Sequence, residues 1–155
     1  MKTFSQLLKE CQKSVKEIMP WDLMEHIESE NPPLILDVRE PAEYCKAHIK
    51  HSYHVPRGTL ETACEYGFEE TLPVLVNSRD KPIVVVCRSG NRSLLAARTM
   101  QELGYTNVQS LMTGLRGWND YEQELIDEHN QLIDNDNADE FLTSIVSEEK
   151  MPPKS

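Results

Sequence analysis

The sequence predicts an α/β protein built on a parallel β-sheet. Two short runs, residues 34–38 (LILDV) and 83–86 (IVVV), are almost continuously apolar instead of alternating with polar residues. Continuous apolar strands are typical of parallel sheets that helices cover on both faces. Helical patterns lie before, between and after these runs. This alternation of strands and helices implies right-handed crossovers within one sheet.

The first 33 residues are predicted to form two helices and one strand. In residues 3–13, apolar side chains recur at i, i+3, i+4 and i+7, which indicates an amphipathic helix. Residues 15–19 are predicted as a strand. Pro20 is expected in the first turn of a helix that runs through Ile27, because proline is tolerated where no backbone donor is needed. The Asn-Pro-Pro sequence after Glu30 ends this helix.

The elements of the remaining chain are predicted from shorter patterns. Four of them are a strand at 53–55, a helix at 69–76, a helix at 92–103 and a strand at 108–111. Gly104 is well placed to end the third of these. A last helix is predicted at 118–133, followed by a linker, DNDNADE, at 134–140. The final KMPPKS segment is predicted to be disordered.

Charge is distributed unevenly along the 155 residues. Residues 1–119 carry 14 basic and 15 acidic side chains, whereas residues 120–155 carry 2 and 11, so −9 of the net charge of −10 lies in the C-terminal end. No basic face is predicted, and we therefore expect no nucleic-acid partner. The acidic end is either a solvated surface or a docking surface for a basic partner.

The N-terminal sequence and the cysteines indicate a cellular compartment. No run approaches the roughly 18 consecutive apolar residues of a membrane span, and the N-terminus lacks the apolar core of a secretory signal. We therefore expect a cytoplasmic protein that binds no membrane. The four cysteines, at positions 11, 45, 64 and 87, include no C-x-x-C pair. They are expected to be reduced thiols in that compartment.

The segment IVVVCRSGNRS at 83–93 is the strongest candidate for chemistry. A buried strand ends at Cys87, and a helix begins near Arg92, so the sulfur is expected at the edge where open α/β sheets bind ligands. Backbone N–H groups of the loop and the helix N-terminus can stabilise a thiolate there. The alternative, a cysteine buried only for packing, fits poorly with the polar residues after it. Those candidate loop residues are Arg88, Ser89, Gly90, Asn91, Arg92 and Ser93.

This loop, with its strand and helix, resembles the rhodanese family. Three further segments agree in order: DVREPAEY at 37–44, AHIKHSYHVPRG at 47–58 and GYTNVQSLMTGLRGW at 104–118. The resemblance implies a three-layer fold with a central five-stranded parallel sheet flanked by helices. Together with the N-terminal helical pattern and the acidic C-terminal end, it predicts three parts: an amphipathic helix at 1–14, a rhodanese-like domain at 15–133 and an acidic tail at 134–155. Thr113-Gly114 departs from the two glycines that the family commonly has there.

The resemblance implies that the protein is a sulfurtransferase without a cofactor. Cys87 would take a sulfane sulfur from a donor such as thiosulfate and pass the resulting persulfide sulfur to cyanide, a thiol or a protein thiol. An alternative is a sulfur-relay or interaction module with a dedicated protein partner, since the N-terminal helix and acidic tail exceed the minimal domain. Phosphatase or arsenate reductase is a lesser alternative. Related folds with those activities use a Cys-x5-Arg loop, whereas Arg92 makes a Cys-x4-Arg loop here.

Asp37, Arg39 and Cys64 are candidates for supporting roles. Asp37 ends a buried strand, and it either orients the loop or pairs with an arginine, or bonds backbone amides as a structural carboxylate. Cys64 either acts as a resolving thiol for Cys87 or is an incidental loop cysteine. Cys11 and Cys45 are expected to pack on helical faces.

The histidines at 48, 51 and 54 recur every third residue, and this spacing raises the question of a metal site. A strand beginning at His54 would prevent the three from sharing one helical face. No nearby cysteine or carboxylate pattern completes a ligand set. No metal is therefore expected, and His48 is predicted to pack its ring and form a structural hydrogen bond.

Overall fold

Five parallel strands form the central sheet in the computed structural model, which describes residues 1–154. The strands are β1 (Lys16–Ile18), β2 (Leu34–Asp37), β3 (Tyr53–His54), β4 (Ile83–Val86) and β5 (Val108–Leu111). Their spatial order is β1-β5-β4-β2-β3, and every pairing is parallel. The α/β class, the five parallel strands and the flanking helices that the sequence and its resemblance predict are confirmed.

Helices cover both faces of this sheet. They are α1 (Phe4–Gln12), α2 (Pro20–Ile27), α3 (Pro41–Lys46), α4 (Leu60–Ala63), α5 (Pro73–Val76), α6 (Asn91–Glu102), α7 (Gly114–Asp120) and α8 (Asn135–Leu142). Short 3-10 turns occupy Arg57–Thr59 and Glu148–Lys150. No helix within residues 1–154 is both long and apolar enough to span a membrane.

Strand β4 lies at the centre of the sheet and is buried along its whole length. Ile83 and Val85 belong to the apolar cluster on one face, whereas Val84 and Val86 belong to the cluster on the other. Side chains of a strand alternate between the two faces, so an entirely apolar strand is the expected consequence of two covering layers. The position of β4 fixes the next residue, Cys87, at the middle of the sheet edge.

The predicted helix at 118–133 is wrong. Helix α7 ends at Asp120, and Leu125–Ile126 (β6) then pairs antiparallel with Leu132–Ile133 (β7). The turn between them is stabilised by the carboxylate of Asp127, which accepts hydrogen bonds from the backbone N–H groups of His129 and Gln131 at 2.8 and 3.0 Å. Each apolar pair is only two residues long, and helical spacing alone did not distinguish it from a helix face.

The predicted linker at 134–140 is also wrong, since most of it lies in α8. Asp134 caps this helix by accepting a hydrogen bond from the backbone N–H of Asn137 at 2.8 Å, which is a favoured role for aspartate at a helix start. Ala138 and Leu142 are buried in the core cluster that contains Leu115 and Trp118 of α7. The helix expected at 69–76 is limited to the four residues of α5. The disorder of the last residues stays a prediction.

The N-terminal amphipathic helix is confirmed and packs against α6. Cys11 is fully buried at this contact, as expected. The side-chain amide of Gln101 donates to the carbonyl of Ser14 at 2.8 Å, which ties the end of α1 to α6. This matters for the site, because α6 is the helix directly after the Cys87 loop.

Candidate active site

Cys87 directly follows β4, and its side chain is 1% exposed. The backbone N–H groups of Gly90 and Ser93 donate to its Sγ at 3.2 and 3.3 Å. Gly90 has a φ of +98°, a left-handed conformation that glycine adopts without steric cost, and it serves as the N-cap of α6. The loop therefore curls around the sulfur and directs two backbone donors at it. Such donors stabilise negative charge on sulfur.

The hydroxyls of two buried serines continue the hydrogen-bond network that begins at the sulfur. The Sγ of Cys87 lies 3.4 Å from the Oγ of Ser93, and that oxygen lies 2.8 Å from the Oγ of Ser110 on β5. Both serines are fully buried. Ser93 belongs to the predicted loop, whereas Ser110 was not predicted. The signal that could have identified it is a small polar residue inside an otherwise buried strand.

Arg92 is held by a carboxylate that the sequence reasoning missed. Its Nη1 and Nη2 donate to the two carboxylate oxygens of Glu43, each at 2.8 Å. These hydrogen bonds lower the pKa of Glu43 to about 2 and raise the pKa of Arg92. Glu43 lies on α3, the first helix after β2, and the parallel pairing of β2 with β4 brings the C-terminal ends of both strands to the same sheet edge. The guanidinium of Arg92 is therefore already bound by a carboxylate of the same chain.

The first turn of α7 is hydrogen-bonded to the backbone of the Cys87 loop. The backbone N–H groups of Leu115 and Arg116 donate to the carbonyls of Cys87 and Arg88 at 2.8 and 3.0 Å. Gly114 has a φ of +63°, and a Cβ added there would lie 2.6 Å from the Cys87 carbonyl oxygen. Only glycine fits so close to the loop backbone.

The remaining loop side chains differ in their surroundings. Arg88 is half-buried and forms no ion pair with another residue in the described range. Ser89 and Asn91 are exposed at the surface of the loop. Thr113, at the position where the family commonly has glycine, adopts a left-handed φ of +68°, which is unusual for a β-branched residue. The turn keeps the conformation that a glycine would allow.

Asp37 and Arg39 form a buried ion pair beside the site. Arg39 donates through Nε and Nη2 to the Asp37 carboxylate at 3.0 and 2.8 Å, and its backbone N–H donates to the same carboxylate at 3.0 Å. Of the three roles expected for Asp37, its carboxylate fills two, as the partner of an arginine and as an acceptor for a backbone amide. Its hydrogen bonds go to Arg39 and not to the Cys87 loop.

Cys64 lies at the other end of the sheet. It is fully buried, and its carbonyl accepts a hydrogen bond from Arg79, which precedes β4. Burial raises the pKa of the Cys64 thiol. Cys87 follows the C-terminal end of β4, whereas Arg79 precedes its N-terminal end. At about 3.3 Å per residue, the strand places Cys87 about 13 Å from the start of β4. The structure therefore does not support Cys64 as a resolving thiol for Cys87. Cys45, expected to pack on a helical face, is exposed.

Tyr44 is stacked between two of the three histidines. The rings of His48 and His54 lie 3.9 and 4.4 Å from the Tyr44 ring, measured between centroids. The Nδ1 of His48 lies 2.7 Å from the Tyr44 carbonyl oxygen, so the packing and hydrogen bond predicted for His48 are confirmed. Within residues 1–154, no group of three or more His, Cys, Asp or Glu side chains is arranged to hold a metal ion.

Curated proteins with similar sequences have names connected with sulfur. YrkF of Bacillus subtilis, named as a candidate sulfur carrier protein, is 36% identical over 105 residues, which cover 68% of this chain and 51% of YrkF. A candidate mitochondrial thiosulfate sulfurtransferase of Schizosaccharomyces pombe is 34% identical over 90 residues, covering 56% of this chain and 63% of that protein. The adenylyltransferase and sulfurtransferase uba4 of Aspergillus terreus is 34% identical over 103 residues, covering 57% of this chain and 21% of uba4. The chain thus spans less than two thirds of each.

Solved structures share the fold and, in one case, suggest a different activity. A Rhodopseudomonas palustris protein of unknown function, described as a possible tyrosine phosphatase, has a TM-score of 0.71 and 27% identity, covering 79% of this chain and 93% of that one. A rhodanese-related protein of Thermoplasma volcanium has a TM-score of 0.58 and 29% identity, and the match covers 72% of this chain and 97% of that protein. The family description "Rhodanese-like domain" matches residues 19–121. Since this match covers most of the residues and includes the whole Cys87 loop, the chain belongs to the rhodanese family.

Proposed function

We propose that the protein is a sulfurtransferase that carries sulfane sulfur as a persulfide on Cys87. The observation that carries the proposal is the pair of backbone donors, from Gly90 and Ser93, at 3.2 and 3.3 Å from the Cys87 sulfur. Donors in that position stabilise the attacking thiolate, and the loop that supplies them curls around the site of the persulfide. The sulfur carrier and sulfurtransferase names of the relatives support the same chemistry.

With thiosulfate as donor, the reaction has two steps. The Cys87 thiolate attacks the outer sulfur of thiosulfate, the S–S bond of thiosulfate breaks, and sulfite leaves with the bonding electron pair. The product is a Cys87 persulfide anion. Cyanide or a thiolate then attacks the outer persulfide sulfur, giving thiocyanate or a new persulfide and returning the Cys87 thiolate. Neither step requires a redox cofactor or a metal.

We propose that Arg88, and not Arg92, binds the anionic part of the donor. Both nitrogens of Arg92 that face α3 already donate to Glu43, so its charge is largely neutralised and its geometry is fixed. Arg88 has no ion-pair partner among the described residues. An arginine adjacent to the nucleophile and free of a carboxylate is suited to bind sulfonate oxygens. Arg92 instead anchors the first turn of α6.

Phosphatase activity is less well supported, although one structural neighbour is described as a possible tyrosine phosphatase. The loop has four residues between Cys87 and Arg92, one fewer than the phosphate- and arsenate-handling loops of related folds. The Arg92 guanidinium that would have to bind an oxyanion is paired with Glu43. We therefore expect no hydrolysis of p-nitrophenyl phosphate above the rate of the Cys87→Ser variant.

A protein acceptor is the second candidate function. YrkF is named as a candidate sulfur carrier, and uba4 combines sulfurtransferase with adenylyltransferase in its name. The segments beyond the matched family region also lie against the site helices, because α1 packs on α6 and α8 packs on α7. If the acceptor is a protein thiol, transfer to such a thiol will be fast and thiocyanate formation slow.

Sulfite release tests the proposal. Mixing the protein with thiosulfate without an acceptor should release about one sulfite per Cys87, and Cys87→Ser should release none. Cyanide and a panel of protein thiols are then added to the persulfide form, and the rates of sulfur loss are compared. Absence of sulfite release with thiosulfate, together with no sulfur uptake from other sulfane donors such as glutathione persulfide, would contradict a sulfurtransferase.

A further inference from the structure

We infer that Ser110 is a positioning residue that aims the hydroxyl hydrogen of Ser93 at the Cys87 sulfur. This inference rests on the proposed role of Cys87 as nucleophile and adds a residue outside its loop. Ser110 lies on β5, which pairs with β4, and within residues 1–154 its hydroxyl is hydrogen-bonded to Ser93 and not to the sulfur. Its effect is transmitted through the Ser93 hydroxyl alone.

The number of available partners determines the direction of this hydrogen-bond chain. Among residues 1–154, the Oγ of Ser110 has one hydrogen-bond partner, the Oγ of Ser93 at 2.8 Å. Ser110 is fully buried, so its O–H has no water-exposed direction. A buried donor without an acceptor is costly. The Ser110 O–H therefore donates to Ser93. The Ser93 Oγ lies 3.4 Å from the Cys87 Sγ. A neutral thiol can donate its proton to that oxygen, whereas an ionised sulfur has no proton and accepts the hydrogen of the Ser93 hydroxyl.

The reverse direction leaves one hydroxyl unsatisfied. If the Cys87 thiol donated to Ser93, the Ser93 O–H would donate to Ser110, and the Ser110 hydrogen would have no acceptor in the described structure. In the favoured direction, the sulfur receives three donors: the N–H groups of Gly90 and Ser93 and the Ser93 hydroxyl. A thiolate can accept all three hydrogen bonds, whereas a neutral thiol would also need an acceptor for its own S–H proton. The chain of hydroxyls therefore favours the ionised sulfur.

Charged groups around Cys87 act in addition to these hydroxyls. They come from the loop and α6, from α3, from the end of β2 and the segment after it, and from α7, and they are Arg88, Arg92, Glu43, Asp37, Arg39, Glu40 and Arg116. Substitution of Ser110 changes none of these charges. A change in the pH dependence of Cys87 reactivity on substitution of Ser110 can therefore be assigned to the hydroxyl chain.

Alkylation of Cys87 across a range of pH tests the inference. The intact protein is treated with iodoacetamide from pH 5 to pH 10, and labelling is measured on the tryptic peptide 80–88, in which Cys87 is the sole cysteine. For Ser110→Ala, we expect the midpoint of the pH–rate curve to rise by about half to one pH unit, which is about a three- to tenfold slower rate below the midpoint. Ser110→Thr, which keeps a hydroxyl, should restore most of the rate.

A matched control separates this effect from the loss of any buried hydroxyl. Ser78 is also buried, and its hydroxyl donates to the Val74 carbonyl, away from Cys87. Ser78→Ala should leave the alkylation midpoint unchanged. An unchanged midpoint in Ser110→Ala, or equal shifts in Ser110→Ala and Ser78→Ala, would overturn the inference. Because alkylation needs no sulfur donor, this result is independent of whether the protein transfers sulfur, which sulfite release decides.

Discussion

Replacing Glu43 by glutamine should measure what the Arg92 ion pair contributes to stability. The substitution keeps the size of the side chain and leaves an amide oxygen near the Arg92 guanidinium, but it removes the charge. The pair joins α3 to the first turn of α6, so its loss weakens the attachment of the helix that begins at the Cys87 loop. The substitution tests whether that attachment depends on charge.

The size of the effect is set by the pKa of Glu43. The pKa falls from 4.5 to about 2 in the folded protein, chiefly through the hydrogen bonds from Arg92. Such a shift corresponds to about 3 kcal/mol before screening, and the side chains of Arg92 and Glu43 are 34% and 26% exposed, which reduces the figure to about 1–2 kcal/mol. Because the folded pKa is lowered, this stability is fully present above about pH 5 and is lost as the pH falls toward 2.

Urea unfolding of the wild type and Glu43→Gln at several pH values between 7 and 3 is the assay. We expect Glu43→Gln to lower the free energy of unfolding by about 1–2 kcal/mol at pH 7, and by less than half as much near pH 3. Glu61→Gln is the matched control, because Glu61 pairs with Arg57 at 3.3 Å on an exposed helical surface, where such pairs contribute about 0.3–0.5 kcal/mol. Equal losses in the two variants, or a Glu43→Gln loss that does not change with pH, would refute the reasoning.

Two further substitutions test the elements around the site. Asp37→Asn should lower the free energy of unfolding by about 3–5 kcal/mol, because it leaves the buried Arg39 cation without its carboxylate; urea unfolding measures this, and a loss below about 1 kcal/mol would contradict it. Gly114→Ala should disturb the loop through contact with the Cys87 carbonyl and slow sulfite release at least about tenfold, whereas Gly58→Ala, where a Cβ meets no atom within 4 Å, should not.

The central strands and the Cys87 loop could be predicted because the residues that define each of them are contiguous in the sequence. The continuous apolar runs gave the central parallel strands, because a strand covered on both faces must be apolar on both. The Cys87 loop could be recognised since its strand, its glycine and its arginines are contiguous. The segment 125–133 was mistaken for helix because two-residue strands carry too little periodicity. Asp134 was available as an N-cap signal for α8, but the surrounding acidic residues favoured a linker.

Contacts between distant segments could not be predicted in this way. Glu43 and Arg92 are 49 residues apart, and Ser93 and Ser110 belong to different elements. Their proximity results from the strand order, which places β2, β4 and β5 side by side. The resemblance pointed to the right sheet edge, but hydrogen-bond partners at that edge require coordinates. The placement of Cys64 at the opposite edge also required the structure.

The most direct test of the central claim is mass spectrometry of the protein after incubation with thiosulfate. The claim predicts an adduct of about 32 Da, one sulfur atom, which maps to peptide 80–88 and disappears on addition of cyanide. The same adduct should be absent from Cys87→Ser, although Cys45 remains exposed in that variant. An adduct on Cys45 instead, or an unmodified Cys87 with thiosulfate and every other sulfane donor tried, would contradict the claim.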